Sequence, residues 1–271
     1  MPNSPRATQL TVLEQILVRK RAELLTQRSL VPIEELEKRP RPERRSFREA
    51  LESRRPAVIS EIKRASPSAG VIAKDFEPSA IAKRYEAAGA AALSVLTDEQ
   101  FFQGSLDHLQ QAREAVKIPV LRKDFTLGRY HLLQASAAGA DAILLIVAAL
   151  SDFDLQDLMA QAEDLQLDAL VEVHDEAELD RALAAGAEII GVNNRNLKTL
   201  EVSLDTSLRL AERIPAAVLA VSESGIRSAE DVRRLADAGF RAFLIGESLM
   251  KQADPGQALA SLLKGPAPNA A

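Results

Sequence analysis

Residues 137–147, Ala-Ala-Gly-Ala-Asp-Ala-Ile-Leu-Leu-Ile-Val, end a helical pattern at a glycine and lead into an apolar run. Glycine adopts the left-handed conformation that stops a helix, and its small neighbours allow a helix and a strand to pack closely. The same arrangement recurs at Gly89, Gly186 and Gly239, so that these glycines and Gly139 follow one another at intervals of 50, 47 and 53 residues. A second apolar run lies within each interval. The sequence therefore predicts a chain of repeated strand–helix units.

Eight apolar runs have the length and composition of buried β-strands. They cover residues 57–63, 91–96, 120–123, 142–147, 168–173, 189–193, 218–223 and 242–246. Amphipathic patterns between them predict helices with N-caps at Ser105, Ser151, Asp175 and Ser228. Eight parallel strands alternating with helices predict an α/β fold that closes into a (β/α)8 TIM barrel. The alternative is an open doubly wound sheet, whose usual glycine-rich phosphate signature does not follow the first strand here.

We predict three parts along the 271-residue chain. Residues 1–48 form a helical extension that packs on the barrel, residues 49–264 form the catalytic barrel, and residues 265–271 form a disordered tail. The extension carries 11 Lys and Arg against 6 Asp and Glu, whereas the whole chain has a net charge of −5. Its apolar residues recur at helical spacing: Leu10, Leu13, Ile16, Leu17 and Leu24. Packing of this basic segment on the acidic barrel is therefore favoured over binding to nucleic acid.

Composition narrows the class of protein. Hydrophobic residues make up 46% of the chain and charged residues 27%, as is usual for globular proteins. No apolar run approaches the roughly 20 residues that cross a bilayer, and no signal peptide is visible, so we expect a cytoplasmic protein with no membrane partner. Cysteine is absent and the three histidines are scattered. We therefore expect no metal centre and no cysteine nucleophile.

Glu61 and Lys63 place two opposite charges near the end of the first predicted strand. Successive side chains of a strand alternate between its faces, so both point the same way as Ile59. Burying charges without partners or a ligand is costly, and a pair of them at the end of a core strand indicates a reactive site. The alternative is a structural ion pair that closes the strand end.

Polar residues at the other strand ends favour the reactive site. The groups that follow or end the strands are Lys123-Asp124, Glu172, Asn193-Asn194-Arg195, Ser222-Glu223-Ser224-Gly225 and Gly246-Glu247-Ser248. Barrel enzymes build their active sites at this rim. Two lysines, several carboxylates and an asparagine that converge there are difficult to explain as purely structural.

The last two loops predict a phosphate site. Ser224-Gly225 and Gly246-Glu247-Ser248 follow strands seven and eight, where barrels commonly bind phosphate through backbone N–H groups. Ser66, in the loop after strand one, would be adjacent in a closed barrel. Phe102 and Phe125 follow strands two and three, where their rings either hold an aromatic substrate or pack the loops on the barrel.

Longer motifs place these residues in a recognisable context. Glu-Ile-Lys-Arg-Ala-Ser-Pro-Ser at residues 61–68, together with residues 102–105, 121–125, 144–147, 171–174, 191–197 and 222–226, closely resembles the indole-3-glycerol-phosphate synthase family of tryptophan biosynthesis. The resemblance covers residues 10–264 with the motifs in the family's order. It implies a TIM-barrel carboxy-lyase, and neighbouring barrel enzymes of the pathway lack the start of the first motif.

The resemblance also implies a reaction. Enzymes of the family convert 1-(2-carboxyphenylamino)-1-deoxyribulose 5-phosphate into indole-3-glycerol phosphate, carbon dioxide and water without a cofactor. Two alternatives remain at this point: a phosphosugar enzyme that forms a Schiff base through Lys63 or Lys123, and a non-catalytic barrel that binds a phosphorylated ligand. We further expect a monomer that associates with other enzymes of the tryptophan pathway.

By resemblance, each candidate residue receives a role. Lys123 would be the general acid of ring closure, Glu172 the acid/base of dehydration, and Lys63, oriented by Glu61, the cation that holds the substrate carboxylate. Asn193 and Glu223 would position hydroxyl groups. The residues implied to bind the remainder of the substrate are Phe102, Phe125 and Leu144 around the aromatic ring, and Ser66, Arg195, Ser224, Gly225, Gly246 and Glu247 around the sugar and its phosphate.

Overall fold

The computed structural model describes residues 10–67, 69–73, 75–197 and 199–264, and eight parallel strands form a closed barrel at its centre. The strands are β1 (Ala57–Ile62), β2 (Ala92–Leu96), β3 (Val120–Lys123), β4 (Ala142–Ile146), β5 (Asp168–Val173), β6 (Ile189–Asn193), β7 (Leu219–Glu223) and β8 (Ala242–Ile245). Each strand pairs with the next, and β8 pairs with β1. The predicted TIM barrel is therefore confirmed over the open sheet, with strand bounds within one residue of the prediction.

Helices cover the outside of the barrel and both of its ends. They are α1 (Val12–Leu30), α2 (Ile33–Lys38), α3 (Phe47–Glu52), α4 (Pro78–Ala87), α5 (Glu99–Phe102), α6 (Leu106–Ala115), α7 (Arg129–Ala137), α8 (Asp152–Asp164), α9 (Glu176–Ala184), α10 (Asp205–Ala211), α11 (Ala229–Asp237), α12 (Glu247–Met250) and α13 (Pro255–Lys264). All four predicted N-caps are confirmed, since each side chain accepts a hydrogen bond from the backbone N–H three residues later. A short hairpin, Ala65–Ser66 with Gly70–Val71, follows β1.

Strand alternation produces two apolar layers. Ala57 and Ile59 of β1 lie inside the barrel with side chains such as Leu144, whereas Val58 and Ile62 face the surrounding helices. Because Glu61 and Lys63 continue the inward row of Ala57 and Ile59, that row becomes charged only where the strand reaches the rim. The barrel interior is therefore apolar below and charged at its carboxyl end.

Helix α3 closes the end of the barrel where the strands begin. Phe47 and Leu51 are fully buried against the interior apolar cluster. The carboxylate of Asp168, at the start of β5, accepts hydrogen bonds from the backbone N–H groups of Phe47 and Arg48 at 2.9 and 3.2 Å. The first turn of α3 is thus held by a strand residue more than a hundred positions away.

Helix α1 packs near the opposite end. Its Ile16 and Leu17 are buried, and so is Lys20, whose ammonium lies 2.9 Å from Asp98 and 3.0 Å from Asp124. Charge pairing of a buried lysine with two carboxylates offsets its desolvation. This contact fixes α1 to the segments that follow β2 and β3.

The division of the chain at residue 48 stays a prediction. The tail 265–271, predicted to be disordered, lies outside the described residues, as do residues 1–9 and residue 68 of the first motif. None of the helices in the described part of the chain combines the length and the apolar character that a bilayer crossing requires.

Candidate active site

A cavity of about 480 Å³ opens at the carboxyl ends of the strands. Every candidate residue named from the sequence lines it: Glu61, Lys63, Ser66, Phe102, Lys123, Phe125, Leu144, Glu172, Asn193, Arg195, Glu223, Ser224, Gly225, Gly246 and Glu247. Their convergence follows from the parallel barrel, in which all strands end at the same rim. The structure brings the set together, while the role of each member stays a prediction.

Lys123 lies at the centre of the charged groups. Its ammonium contacts the carboxylates of Glu172 on β5 at 2.7 Å and Glu223 on β7 at 3.1 Å. Burial alone would lower the pKa of Lys123, but the negative charges of Glu172, Glu223 and Glu61 outweigh burial and raise it. The lysine is therefore protonated at neutral pH.

The two carboxylates beside Lys123 differ in their affinity for a proton. Burial favours the neutral form of both. For Glu172 this is outweighed by Lys123 and His174, which hold its pKa below the usual range. For Glu223 burial and the negative charges of Glu172 and Glu61 prevail over Lys123, and they raise its pKa to about 7. The site thus combines an ionised carboxylate with one that exchanges its proton near neutral pH.

A second cation, Lys63, lies on the β1 side of the cavity and contacts Glu61 at 2.5 Å. Glu61 in turn lies against Gly246 after β8, where a Cβ atom would overlap its carboxylate. Gly191 on β6 has the same relation to Glu223. Two glycines thus provide the space in which two of the carboxylates lie.

The apolar part of the cavity includes residues that the sequence analysis did not assign to the site. Phe102, Phe125 and Leu144 were expected there, but Val12, Leu13 and Ile16 of α1 also line the cavity. The helical spacing of these three residues was visible in the sequence. Their position over the rim was not, because it depends on the contacts of Lys20 with Asp98 and Asp124, which are distant in the chain.

Loops after β6, β7 and β8 form the remaining wall. Ser224 and Gly225 both have positive φ, at 66° and 82°, a conformation that glycine adopts readily and other residues rarely. The Ser224 carbonyl is held by the Nδ2 group of buried Asn194, which also bonds the Glu223 carbonyl and the Ser222 hydroxyl. Asn194 therefore stabilises the turn.

Charged and hydroxyl groups of the same wall are mostly engaged with one another. Arg195 lies 3.5 Å from Glu247, which also contacts Lys251 at 2.6 Å. Asn193 accepts a hydrogen bond at Oδ1 from the Arg195 backbone N–H. Ser248, in one of the two loops predicted to bind phosphate, donates its hydroxyl to the Ile226 carbonyl at 2.9 Å.

Most of the chain matches a known protein family. A family model described as Indole-3-glycerol phosphate synthase matches residues 13–262. An "Indole-3-glycerol phosphate synthase" of Desulfotalea psychrophila is 50% identical over 255 residues, which are 93% of this chain and 98% of that protein. One from Polaromonas naphthalenivorans is 54% identical over 217 residues, covering 80% of this chain and 82% of that protein.

A solved structure shares the fold alone. It is a chain of a cube-shaped, highly porous protein cage designed by fusing symmetric oligomeric domains, with a TM-score of 0.56, 15% identity, and coverage of 77% of this chain and 71% of that chain. The family model, in contrast, spans the whole barrel, including the positions that line the charged part of the cavity. The chain belongs to the indole-3-glycerol phosphate synthase family.

Proposed function

We propose that Lys123, Glu172 and Lys63 share the proton transfers and charge stabilisation of the family's reaction in this cavity. The observation that carries the proposal is the contact of Lys123 with carboxylates from two other strands, at 2.7 and 3.1 Å. This arrangement supplies a charged acid beside an ionised base within one enclosed site. The reaction needs both, at different steps.

In ring closure, the aromatic carbon that bears the carboxylate forms a bond to C2 of the ribulosyl chain. The electron pair of the C2 carbonyl moves to its oxygen, which takes a proton from Lys123. The raised pKa of Lys123 keeps the proton on the amine until then, and the developing alkoxide is the stronger base. Lys63, held by Glu61 at 2.5 Å, pairs with the substrate carboxylate.

Decarboxylation and dehydration follow. The bond between the ring carbon and the carboxylate breaks, carbon dioxide leaves, and the electron pair restores the aromatic ring. Glu172 then takes a proton from C1 of the former ribulosyl chain and supplies one to the hydroxyl that leaves C2 as water, which creates the pyrrole double bond. Lys123 regains its proton from solvent. The low pKa of Glu172 suits the first of these transfers, since the group must begin ionised.

Binding groups surround these residues. We assign the anthranilate ring to the apolar wall of Phe102, Phe125 and Leu144, with α1 above it. Asn193 uses its Oδ1 to accept from the Arg195 backbone, so its NH₂ group is assigned to a substrate hydroxyl, as is Glu223.

The phosphate is assigned to the wall after β7 and β8. Backbone N–H groups of Ser224, Gly225 and Gly246, together with Ser66, would surround its oxygens. Arg195 would supply the positive charge. Glu247 is negatively charged and therefore acts through the two cations that it contacts, Arg195 and Lys251.

The charge state of Lys123 argues against the Schiff-base alternative. A lysine nucleophile must lose its proton, which requires a lowered pKa, whereas neighbouring carboxylates raise the pKa of Lys123. We further propose that the enzyme is a monomer, and its association with other tryptophan-pathway enzymes stays a prediction.

Turnover of the arylamino-ribulose phosphate, followed by indole fluorescence, tests the function directly. Borohydride added during turnover should trap no adduct on the protein, and a covalent lysine adduct would favour the Schiff-base alternative. Glu172→Gln should separate the steps in a single turnover, because carbon dioxide would be released before the indole forms. If both signals slow equally with no lag between them, Glu172 acts before dehydration.

A further inference from the structure

His174 directly follows β5 and lies behind Glu172, on the side away from Lys123. Its Nε2 atom is 3.3 Å from Oε1 of Glu172, while the other carboxylate oxygen, Oε2, lies 2.7 Å from the Lys123 ammonium. The two oxygens of Glu172 are thus approached by two different nitrogen groups. Glu172 thus has a hydrogen bond at one oxygen and an ion-pair contact with the imidazole at the other.

The second ring nitrogen of His174 meets another carboxylate. Its Nδ1 atom lies 2.9 Å from Oε2 of Glu178, which also accepts the backbone N–H of His174 at 2.8 Å. Glu178 belongs to the first turn of α9, where its own N–H donates to the N-cap Asp175 at 2.9 Å. The helix therefore fixes Glu178, and Glu178 fixes the imidazole.

Carboxylates on both sides determine the charge of the ring. The Nδ1 atom is hydrogen-bonded to Glu178, whereas the Nε2 atom lies at ion-pair distance from Glu172 without an aligned hydrogen bond, so both carboxylates favour a positive charge on the ring. Burial would lower the pKa of His174, but its contacts with Glu172 and Glu178 raise it to about 10. These two carboxylates, one from its own strand end and one from α9, are the ionic partners of His174 within the described ranges, with Lys123 beyond Glu172.

His131 provides a contrast within the same fold. Its Nδ1 atom accepts the backbone N–H of Leu127 at 3.0 Å, and burial together with Arg122 lowers its pKa to about 3. A histidine that accepts a backbone hydrogen bond beside an arginine is neutral. His174 lies between two carboxylates instead. Packing alone does not explain why a histidine lies there.

We propose that His174 is a positioning residue, an imidazolium that bridges Glu178 and Glu172 and so orients Glu172 and keeps it ionised for dehydration. This inference deepens the proposed function and rests on the role given there to Glu172. The histidine does not touch the substrate; it acts by fixing the carboxylate that does. Its effect should therefore fall on the rate and pH dependence of catalysis more than on substrate binding.

Nitrogen NMR of the ¹⁵N-histidine-labelled protein tests the charge without an activity measurement. The chain has three histidines, and burial lowers the pKa of both His108 and His131. At pH 8 one imidazole should give the spectrum of the doubly protonated ring, and that signal should be missing in His174→Gln. Three neutral rings at pH 8 would overturn the proposal.

Kinetics test the consequence. In His174→Gln we expect kcat to fall about 10-fold or more, with KM little changed and the acid limb of the kcat–pH profile moved to higher pH, because Glu172 loses a positive neighbour. His108→Gln, a change at a histidine of α6 that does not line the cavity, is the matched control and should keep the wild-type profile. A His174→Gln profile that coincides with wild type, or falls uniformly without a shift, would contradict the proposal.

Glu178→Gln keeps the proposal testable if His174→Gln does not fold. It removes one of the two carboxylates, so the imidazole should lose its proton at lower pH in the NMR titration; an unchanged titration would contradict the proposal. Glu172→Gln distinguishes an error in the proposed role of Glu172 from an error in the role of His174 alone. If it keeps wild-type kcat, the role of Glu172 and this inference both fail. If it is inactive while His174→Gln keeps wild-type kinetics, the inference alone fails.

Discussion

The two ends of the barrel both bury charged side chains, but the charges have different partners. Where the strands begin, Asp141 accepts the backbone N–H groups of Arg45 and Val120 at 2.8 and 2.9 Å, and Asp168 accepts those of Phe47 and Arg48. These carboxylates hold the main chain in place; the partly exposed Asp168 also pairs with Arg44 at 2.7 Å, and the buried Asp141 lies 3.5 Å from Arg113. Neither one lines the cavity.

At the opposite end the charges are paired with one another. Lys123 contacts Glu172 and Glu223, and Lys63 contacts Glu61, with each partner contributed by a side chain at a strand end. Among the described residues, Oε1 of Glu223 is buried with no hydrogen-bond partner. The difference teaches that a buried charge alone does not mark a reactive site. Charges that face each other across a cavity do so.

The largest expected effect is on catalysis at the charged rim. Lys123→Ala should lower kcat by about 10²–10⁴-fold, because it removes the proposed acid of ring closure. Lys83→Ala, on the exposed side of α4, is the matched control and should leave the fluorescence assay unchanged. If the Lys123 variant keeps more than about a tenth of wild-type kcat, another group is the principal acid.

Binding of the substrate phosphate should also depend on residues at this rim. Ser224→Asp adds a negative charge beside the proposed phosphate position, whereas Ser224→Asn is neutral and nearly the same shape, and both residues tolerate the positive φ found there. We expect KM to rise about 10-fold or more in the Asp variant only, with loss of competitive inhibition by inorganic phosphate. Equal KM values for the two variants would mean that the phosphate binds at another position.

Substitutions at the other end, where the strands begin, should lower the stability of the protein and leave its activity unchanged. Asp168→Ala leaves two backbone N–H groups of α3 without their acceptor, and should lower the free energy of unfolding by about 1–3 kcal/mol while kcat is unchanged. Urea denaturation measures the first quantity and the fluorescence assay the second. If Asp168→Ala lost activity but kept wild-type stability, the proposed difference between the two ends would be wrong.

The smallest effect concerns pH. The pKa of Glu223 is raised to about 7 from its ordinary 4.5, so between these values the folded protein keeps a proton that the unfolded chain releases. Wild-type stability should therefore fall as pH rises through this window. Glu223→Gln cannot ionise, so its stability relative to wild type should increase steadily across the window. A constant difference from pH 4 to pH 8 would contradict the raised pKa.

Local patterns in the sequence were sufficient for the barrel and most of the rim. Apolar runs that follow glycine-ended helical patterns predicted the strands, and alternation along β1 correctly placed Glu61 and Lys63 on the inward face with Ile59. Because all parallel strands end at one rim, the polar groups at their ends could be brought together without knowing any distance.

Contacts between distant segments could not be predicted in this way. Spacing predicted that α1 is amphipathic, but its place over the cavity depends on Lys20 meeting Asp98 and Asp124. Likewise, Ser248 donates its hydroxyl to the carbonyl of Ile226, which belongs to the loop after a different strand. Such partners are set by tertiary packing, which no short window of sequence contains.

Gly191 and Gly246 carry a consequence for mutational tolerance. At each of them even the Cβ atom of alanine would overlap a carboxylate, Glu223 at Gly191 and Glu61 at Gly246, although neither glycine has a positive φ. Saturation mutagenesis under selection for tryptophan synthesis should therefore find both positions nearly as restricted as the charged residues themselves. Many of the substituted proteins should still fold, but with the carboxylate displaced. These glycines would therefore be required for catalysis although they contribute no side chain to it.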